Sequence, residues 1–502
     1  MSISQKLMPL GDGLGIALAR IEKGEPLTAD LNAVDRILKG HKVALQPFKA
    51  GDVIKKFQRP IGVASADIFP GQWVHDHNLA FDDSLASAMG EIAPSTSQKI
   101  QSQKHSFQGF NRGNGRVGTR NYVGIISTVN CSGTVCRIVA ERANKELLAE
   151  FPNIDGFVPI VHQSGCGMAN YDMSFDLLQR TLKGYIDQPN FGAVMVIGLG
   201  CEVNQIGAYA KAGHNGEQLT YFNMQQTGGT AQTVESALKA LQPICSNLNQ
   251  NSNRTPCDAS HIMLGLQCGG SDGFSGISAN PALGKAVDLL VQAGGTAILS
   301  ETPEILGAEP LLLGGASAET KTKLMGCVKW WQDHARENGI SLDNNPSPGN
   351  KAGGLTTILE KSLGAVSKAG TTPLNGYYDY AQQVTHKGLV FMDSPGYDPV
   401  SATGQIAAGA NLIAFTTGRG SCFGAKPAPS FKLASTSELF ATMEGDMDID
   451  CGTVLDGSQN FDELGEETFN AILAFASGQR TKSELLGYGD DEFIPWRFGA
   501  VL

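Results

Sequence analysis

The sequence predicts a multidomain α/β protein in which a small all-β unit, residues 1–80, precedes two stretches of alternating strands and helices. Three observations carry this. The chain has 502 residues, too many for a single hydrophobic core. Its first 80 residues hold only short apolar runs cut by turn residues. After Asn121 short apolar runs alternate with helical periodicity, the pattern of mostly parallel sheets.

In residues 1–80 the runs at 15–19, 42–45 and 52–55 are separated by Gly-Glu, Gly-His and Pro turns and read as strands. Residues 81–107 are rich in Ser, Gln and Lys and read as a linker. The central domain, 108–255, is expected to hold strands at 122–129, 157–161, 193–197 and 219–222 and helices at 135–150, 172–182 and 230–241. A polar stretch at 246–260 marks a weaker boundary before the C-terminal domain, 256–502. There, strands are expected at 262–266, 296–299, 389–392 and 412–415, and helices at 283–293, 321–337 and 466–477.

Composition narrows the partners. The 38 basic residues are scattered among 49 acidic ones, for a net charge of −11, and form no tract for nucleic acid. An anionic small substrate remains open, because a local basic pocket can sit in an acidic surface. No run reaches the roughly 18 apolar residues of a membrane span, and the first residues lack an apolar signal core. Ten cysteines without dense spacing fit reduced thiols. A cytoplasmic protein without a membrane partner is expected. Glycine, 61 of 502 residues, gathers in loops after apolar runs, where backbone takes positive φ or approaches a ligand.

Several expected strands end in polar, glycine-rich segments. In open α/β sheets ligands bind beyond the carboxyl ends of the strands, so these ends are expected to meet at one crevice. The most crowded is Gln267-Cys268-Gly269-Gly270-Ser271-Asp272-Gly273-Phe274-Ser275-Gly276, running on to Asn280-Pro281. Cys131, Cys166, Cys201 and Cys268 each follow an expected strand. Singly, each reads as a small buried hydrophobe; together they could hold iron, alone or as an iron–sulfur cluster. His162 reads as a general base, a ligand or a satisfied core histidine. His75 and His77 flank Asp76 and could place two contacts on one face. Gly269-Gly270-Ser271-Asp272-Gly273 fits the nucleophile-elbow pattern G-x-S-x-G, which keeps a serine hydrolase using Ser271 in play, though no histidine sits near the end of a late strand. Asn350 and Lys351 lie in a Pro- and Gly-rich loop suited to an anion, and Arg419 follows a strand where it could clamp a carboxylate.

With these motifs, and with Gly40-His41-Lys42, Pro60-Ile61-Gly62, Gly115-Arg116-Val117-Gly118-Thr119-Arg120-Asn121, Gly198-Leu199-Gly200-Cys201-Glu202 and the segment 345–354, the chain resembles the altronate/galactarate dehydratase family nearly end to end. The resemblance implies a metal-dependent sugar-acid dehydratase that uses Fe²⁺, a mononuclear ion ahead of an iron–sulfur cluster. It also implies an N-terminal SAF-type β-clip domain, a central domain engaged in dimerisation and hence a homodimer, and a Rossmann-like catalytic C-terminal domain. Gly273 after Ser271-Asp272, together with residues 295–304, is more similar to the altronate branch. Dehydration of D-altronate to 2-dehydro-3-deoxy-D-gluconate is therefore the first expectation. Galactarate or another aldonic or aldaric acid comes next, and a sugar-acid-binding protein without turnover is more distant. Gly420-Ser421-Cys422-Phe423-Gly424, Pro427-Ala428-Pro429-Ser430 and the Trp496-Arg497-Phe498-Gly499 tail depart from the family pattern.

Such a dehydration removes the C2 proton and expels the C3 hydroxyl, so it needs a base, an acid and stabilisation of the enediolate. His162 and Lys351 are the expected bases, and Asp272 and Glu301 the expected acids. Ser271, Asn280, Asn350 and Arg419 are expected to position substrate, joined by Arg120, Asn121, His75 and His77 from the family motifs. The four cysteines are the expected metal ligands.

Overall fold

The computed structural model describes residues 4–86, 104–113, 115–170, 172–209 and 219–498. Most of the expected linker lies outside the described residues.

The N-terminal unit is built from short antiparallel strands. Leu7–Gly11, Leu14–Ala17, Lys42–Ala44 and Trp73–Val74 form one sheet, and Val53–Lys56, Arg59–Ala64 and Leu79–Ala80 a second. Gly11 pairs with Leu14, leaving Asp12-Gly13 as a two-residue turn with φ of 50° and 80°. Positive φ at both positions matches the twist of the flanking strands. Leu10, Leu14, Ile16, Ile54, Ile61 and Val74 form the core, and Phe274 from the C-terminal domain inserts into it. Burying that ring contributes about 2–3 kcal/mol to the docking of the two domains. Gly273 permits the insertion, because a Cβ there would meet the Gly40 carbonyl. One glycine of the crowded loop thus serves domain contact rather than ligand approach.

The central domain carries a four-stranded parallel sheet in the order Gly156–Ile160, Tyr122–Ser127, Phe191–Gly198, Leu219–Asn223. The helices Asn130–Glu146, Met173–Ile186 and Thr230–Asn251 pack on it. The polar stretch 246–260 is not a loop. It completes the Thr230–Asn251 helix and then supplies the strand Arg254–Asp258, which pairs with Ser106–Asn111. Ser106 and Phe107, read as linker, already belong to that strand.

The C-terminal domain holds seven parallel strands in the order Leu374–Tyr378, Gly388–Met392, Thr296–Leu299, Met263–Cys268, Leu412–Thr417, Ser430–Ala434, Ile449–Asp450. One face packs on the helices Ala279–Gln292 and Phe461–Ala476. The other packs on Asp398–Ala408, which crosses the central domain's Met173–Ile186 helix and joins the two sheets in one core. Met263–Cys268 has Thr296–Leu299 on one side and Leu412–Thr417 on the other. It is therefore the strand where the winding reverses, the position at which open α/β sheets form a crevice.

Candidate active site

Cys268 closes that switch-point strand, and the next strand's end brings Glu301 beside it. Glu301 has φ of 70° although it is not glycine. Its N–H donates to Ser394 Oγ at 2.9 Å, and Thr302 N–H donates to the Ser394 carbonyl at 3.0 Å, so two hydrogen bonds hold the strained backbone. One turn on, the helical segment Thr302–Ile305 presents Glu304. Ligand atoms of Cys268, Glu301 and Glu304 all lie within 4.8 Å of one another, and all three side chains are buried.

Two lysines enter from the segment that follows residue 357. The helix Ile358–Val366 carries Lys361, and Lys368 follows one residue beyond Ser367. Lys361 Nζ donates to Glu304 Oε1 and to Asn345 Oδ1, both at 2.7 Å. Asn345 Nδ2 also donates to Glu304 Oε1 at 2.7 Å. Lys368 Nζ donates to Cys268 Sγ at 2.8 Å and lies 3.7 Å from Glu301. Asp398, at the start of its helix, faces Gly269 in the same buried group.

These neighbours sort the carboxyl groups. Burial works against charge on Glu304, but Lys361 and Lys368 outweigh it and hold the group below its ordinary range. Glu301 is driven well above its ordinary range by burial and then by the Glu304 charge, and neither of its carboxyl oxygens has a hydrogen-bond partner. Asp398 is raised to about 7, first by burial and then by Glu304. Burial pushes the Cys268 thiol up to about 12. The result is one ionised and one protonated carboxyl side by side, with two ammonium groups against them.

Two cavities lead toward this group. The inner one, about 10 Å³, has room for about one water and touches Cys268, Ser271, Asp272, Asn280 and Lys361. The outer one, about 380 Å³ and open to solvent, is lined by Lys39, Asp272, Gly353 and Arg419 among others. Asp272 borders both. Its carboxylate accepts from Phe274 N–H, from Ser275 N–H and Oγ–H, and from Ser435 Oγ–H at 2.8–3.1 Å, which fixes it as the partition. Burial nevertheless raises its proton affinity.

Of the residues expected from sequence, Cys268, Glu301, Ser271, Asp272, Asn280 and Arg419 gather here. Asn350 supports the site from behind: its Nδ2 donates to the Ser271 carbonyl at 3.0 Å, and it caps the short helix Pro348–Ala352.

The others do different work. His162 lies in the central domain, where Nε2 pairs with the Ser127 carbonyl at 3.2 Å and Nδ1 accepts from Ser164 N–H at 3.2 Å. Both ring nitrogens are committed, and burial lowers its pKa to about 4, so it is a satisfied core histidine rather than a base. Lys351 offers its carbonyl to His75 Nε2 at 2.9 Å, and its ammonium acts on Asp76 and Asp343. His75 stacks on both His41 and Trp73, which also touch each other, and His77 packs on Trp73; His75 fastens the N-terminal domain through its bond to the Lys351 carbonyl. Arg120 uses all five N–H groups on Glu484 and on the carbonyls of Thr119, Phe475 and Gln479. Asn121 bonds Asp155, Asn153 and Arg112. Both are structural ties, not substrate contacts. Cys131, Cys166 and Cys201 are exposed on the central sheet, whereas Cys268 is buried on the other. The strand ends therefore belong to two sheets. Ser271 has no described histidine bonded to it, which removes the elbow reading.

Sequence reasoning passed over Glu304, Lys361, Lys368, Asn345 and Asp398. Lys361 and Lys368 stand seven residues apart in an apolar segment, two helical turns on one face, and that spacing was the available signal.

The comparisons with known proteins agree along the chain. Residues 8–82 match the altronate/galactarate dehydratase SAF domain. Residues 109–249 match the second domain of D-galactarate dehydratase/altronate hydrolase, and 259–501 match the D-galactarate/altronate dehydratase C-terminal domain. The altronate dehydratase of Bacillus subtilis (strain 168) is 33% identical over 479 residues, covering 94% of this chain and 95% of that protein. That of Escherichia coli (strain K12) is 35% identical over 479 residues, again 94% and 95%. The galactarate dehydratase (L-threo-forming) of Escherichia coli (strain K12) is 34% identical over 476 residues, 92% of this chain and 90% of that protein.

Proposed function

The chain belongs to the D-galactarate/altronate dehydratase family, and from that premise we propose that it is a hydro-lyase whose substrate is D-altronate, dehydrated at the Cys268–Glu301–Glu304 group. The observation that carries the site is Glu301, a fully buried carboxyl in a strained conformation with both oxygens unpartnered. Such a group stays in a fold when it has work to do on a ligand.

Arg419 gives the outer cavity a guanidinium fork that can receive a substrate carboxylate, whereas Lys39 on the same wall is paired with Glu438. The inner space holds a water and not a six-carbon acid, so the bulk of the substrate would lie in the outer cavity, with Asp272 between it and the buried group. Lys361 and Lys368 then face the negative charge that develops when the C2 proton leaves. Glu304, held ionised, is positioned to accept that proton at a carboxylate oxygen, and Glu301, held protonated, to donate one to the departing hydroxyl.

The donor set also fits a ferrous ion. One thiolate and two carboxylates within 4.8 Å of one another match iron's tolerance of soft and hard ligands, and the orphaned Glu301 oxygens supply lone pairs. A ferrous ion bound there would act as a Lewis acid toward the substrate carboxylate and hydroxyl. With Glu301 engaged as a ligand, Asp398, raised to about 7 beside the same group, is a carboxyl that can carry a proton.

The altronate and galactarate relatives are almost equally similar; the preference for D-altronate rests on the altronate-like segments at Gly273 and 295–304. Purified protein incubated with D-altronate, Fe²⁺ and a thiol is expected to give a 2-keto product trapped by semicarbazide. Product from galactarate alone overturns the substrate assignment. Ligand-induced thermal stabilisation without product from any sugar acid, with or without metal, overturns the enzyme.

A further inference from the structure

Three exposed cysteines follow strands of the central sheet at its same edge, on a different sheet from Cys268. Cys131 stands in the first turn of the 17-residue helix Asn130–Glu146, which follows the Tyr122–Ser127 strand. Cys166 follows the neighbouring strand Gly156–Ile160, and Cys201 follows Phe191–Gly198 on the other side. The three loops are tied to one another beside the thiols. Asn130 N–H donates to the Ser164 carbonyl at 2.9 Å, and Asn204 N–H to the Gly165 carbonyl at 3.1 Å. Asn204 Nδ2 donates to the Thr128 carbonyl at 2.9 Å. Buried Glu202 accepts from Thr128 Oγ1–H at 2.7 Å and from Gly200 N–H at 2.6 Å. Each cysteine is thus within three residues of a bond to another loop. Of the described cysteines, only Cys422 is exposed elsewhere.

We propose that Cys131, Cys166 and Cys201 bind an iron–sulfur cluster of the four-iron class, leaving one iron without a protein thiolate. Three thiols on three loops tied to one another favour a cluster over a single structural ion, which takes four protein ligands. A cube of iron and sulfide takes thiolate ligands and can keep one iron without a protein ligand. Each thiol gives up its proton to the medium when its sulfur bonds iron, and the positive end of the Asn130–Glu146 helix dipole, beside Cys131, favours the negative charge that results. Gly165 and Gly200, at φ of 95° and 128°, let their loops turn tightly beside the thiols.

The test is anaerobic reconstitution of the full chain with Fe²⁺ and Fe³⁺ in equal amounts, sulfide and a thiol, followed by iron and acid-labile sulfide analysis. About four iron and four sulfide per chain are expected at this site, with broad visible absorption that bleaches on reduction. Cys131→Ser, Cys166→Ser and Cys201→Ser are each expected to lower bound sulfide about fivefold or more, while Cys422→Ser and Cys268→Ser keep it. In the unaltered protein, reconstitution should shield Cys131, Cys166 and Cys201 from alkylation and leave Cys422 reactive, a readout that needs no variant to fold. Iron without sulfide, sulfide retained in the triple variant, or unshielded thiols would overturn the proposal. None of these readouts depends on turnover, so they stand or fall apart from the dehydratase reading.

Discussion

Lys368 Nζ lies 2.8 Å from Cys268 Sγ, both side chains almost wholly buried, at the carboxyl end of the strand where the seven-stranded sheet reverses its winding. Lys368→Met keeps the side chain's length and removes its charge. We expect dehydration to slow about 100-fold or more, the scale of losing one preorganised charge partner. Steady-state rates at saturating substrate check this, and a change below about threefold contradicts the role.

Glu301→Gln replaces a carboxyl without hydrogen-bond partners by a neutral amide of the same shape. Stability should be nearly unchanged, because burial already holds the acid toward its neutral form, while kcat falls by roughly 100-fold or more. Thermal unfolding read beside kcat separates these effects, and a parallel loss of both would make Glu301 structural.

Arg419→Gln probes the outer cavity. KM is expected to rise about tenfold with kcat nearly unchanged, because the guanidinium would bind the carboxylate equally in ground and transition states. A kcat effect without a KM effect argues for a different position.

Glu360 joins the N-terminal domain to the site. It accepts from Lys42 Nζ at 2.7 Å and Lys56 Nζ at 3.0 Å, and all three groups are buried. Burial opposes its charge, but the two lysines outweigh it and pull it far below the usual carboxylate range. Glu360→Gln leaves both ammonium groups unpaired and should cost about 3–5 kcal/mol. Denaturant unfolding measures this, and adding Lys42→Met should recover part of the loss.

His41 supplies a pH dependence. Its Nε2 bonds the Ala352 carbonyl at 3.1 Å, and its Nδ1 accepts from Trp73 Nε1–H at 3.1 Å, so the folded ring is neutral. Burial lowers its pKa from 6.5 to about 4; neighbouring His75 and Lys42 lower it further, while the Ala352 bond and Glu360 oppose the shift. Between these values the unfolded chain binds more protons than the folded one. The stability this group contributes is therefore full above pH 6.5 and is lost as pH falls toward 4. Unfolding free energy measured across that window should fall less steeply in His41→Gln.

The sequence made the buried strands legible where they are short, continuous and apolar, as in Thr296–Leu299 and Gly388–Met392. It hid Leu374–Tyr378, which mixes Asn, Gly and Tyr, and Ser430–Ala434, whose Lys432 is buried against the Phe423 carbonyl. Cys268 and Glu301 could be found because they end strands. Lys361 and Lys368 offered only their seven-residue spacing, because a lysine reads as a solvated charge until its partner is known. Those partners stand 57 and 100 residues away, at Glu304 and Cys268. His162 and Arg120 misled for the converse reason: reactive groups at strand ends or in family motifs are also what a chain uses to tie its domains together.

The most direct measurement compares D-altronate dehydration, at saturating Fe²⁺, in Glu301→Gln, Cys268→Ser and His162→Gln. The account predicts losses of about 100-fold or more in the first two and a rate within about threefold of the unaltered protein in the third. Near-normal turnover in Glu301→Gln and Cys268→Ser, with loss in a folded His162→Gln, would place the chemistry on the central domain and contradict it.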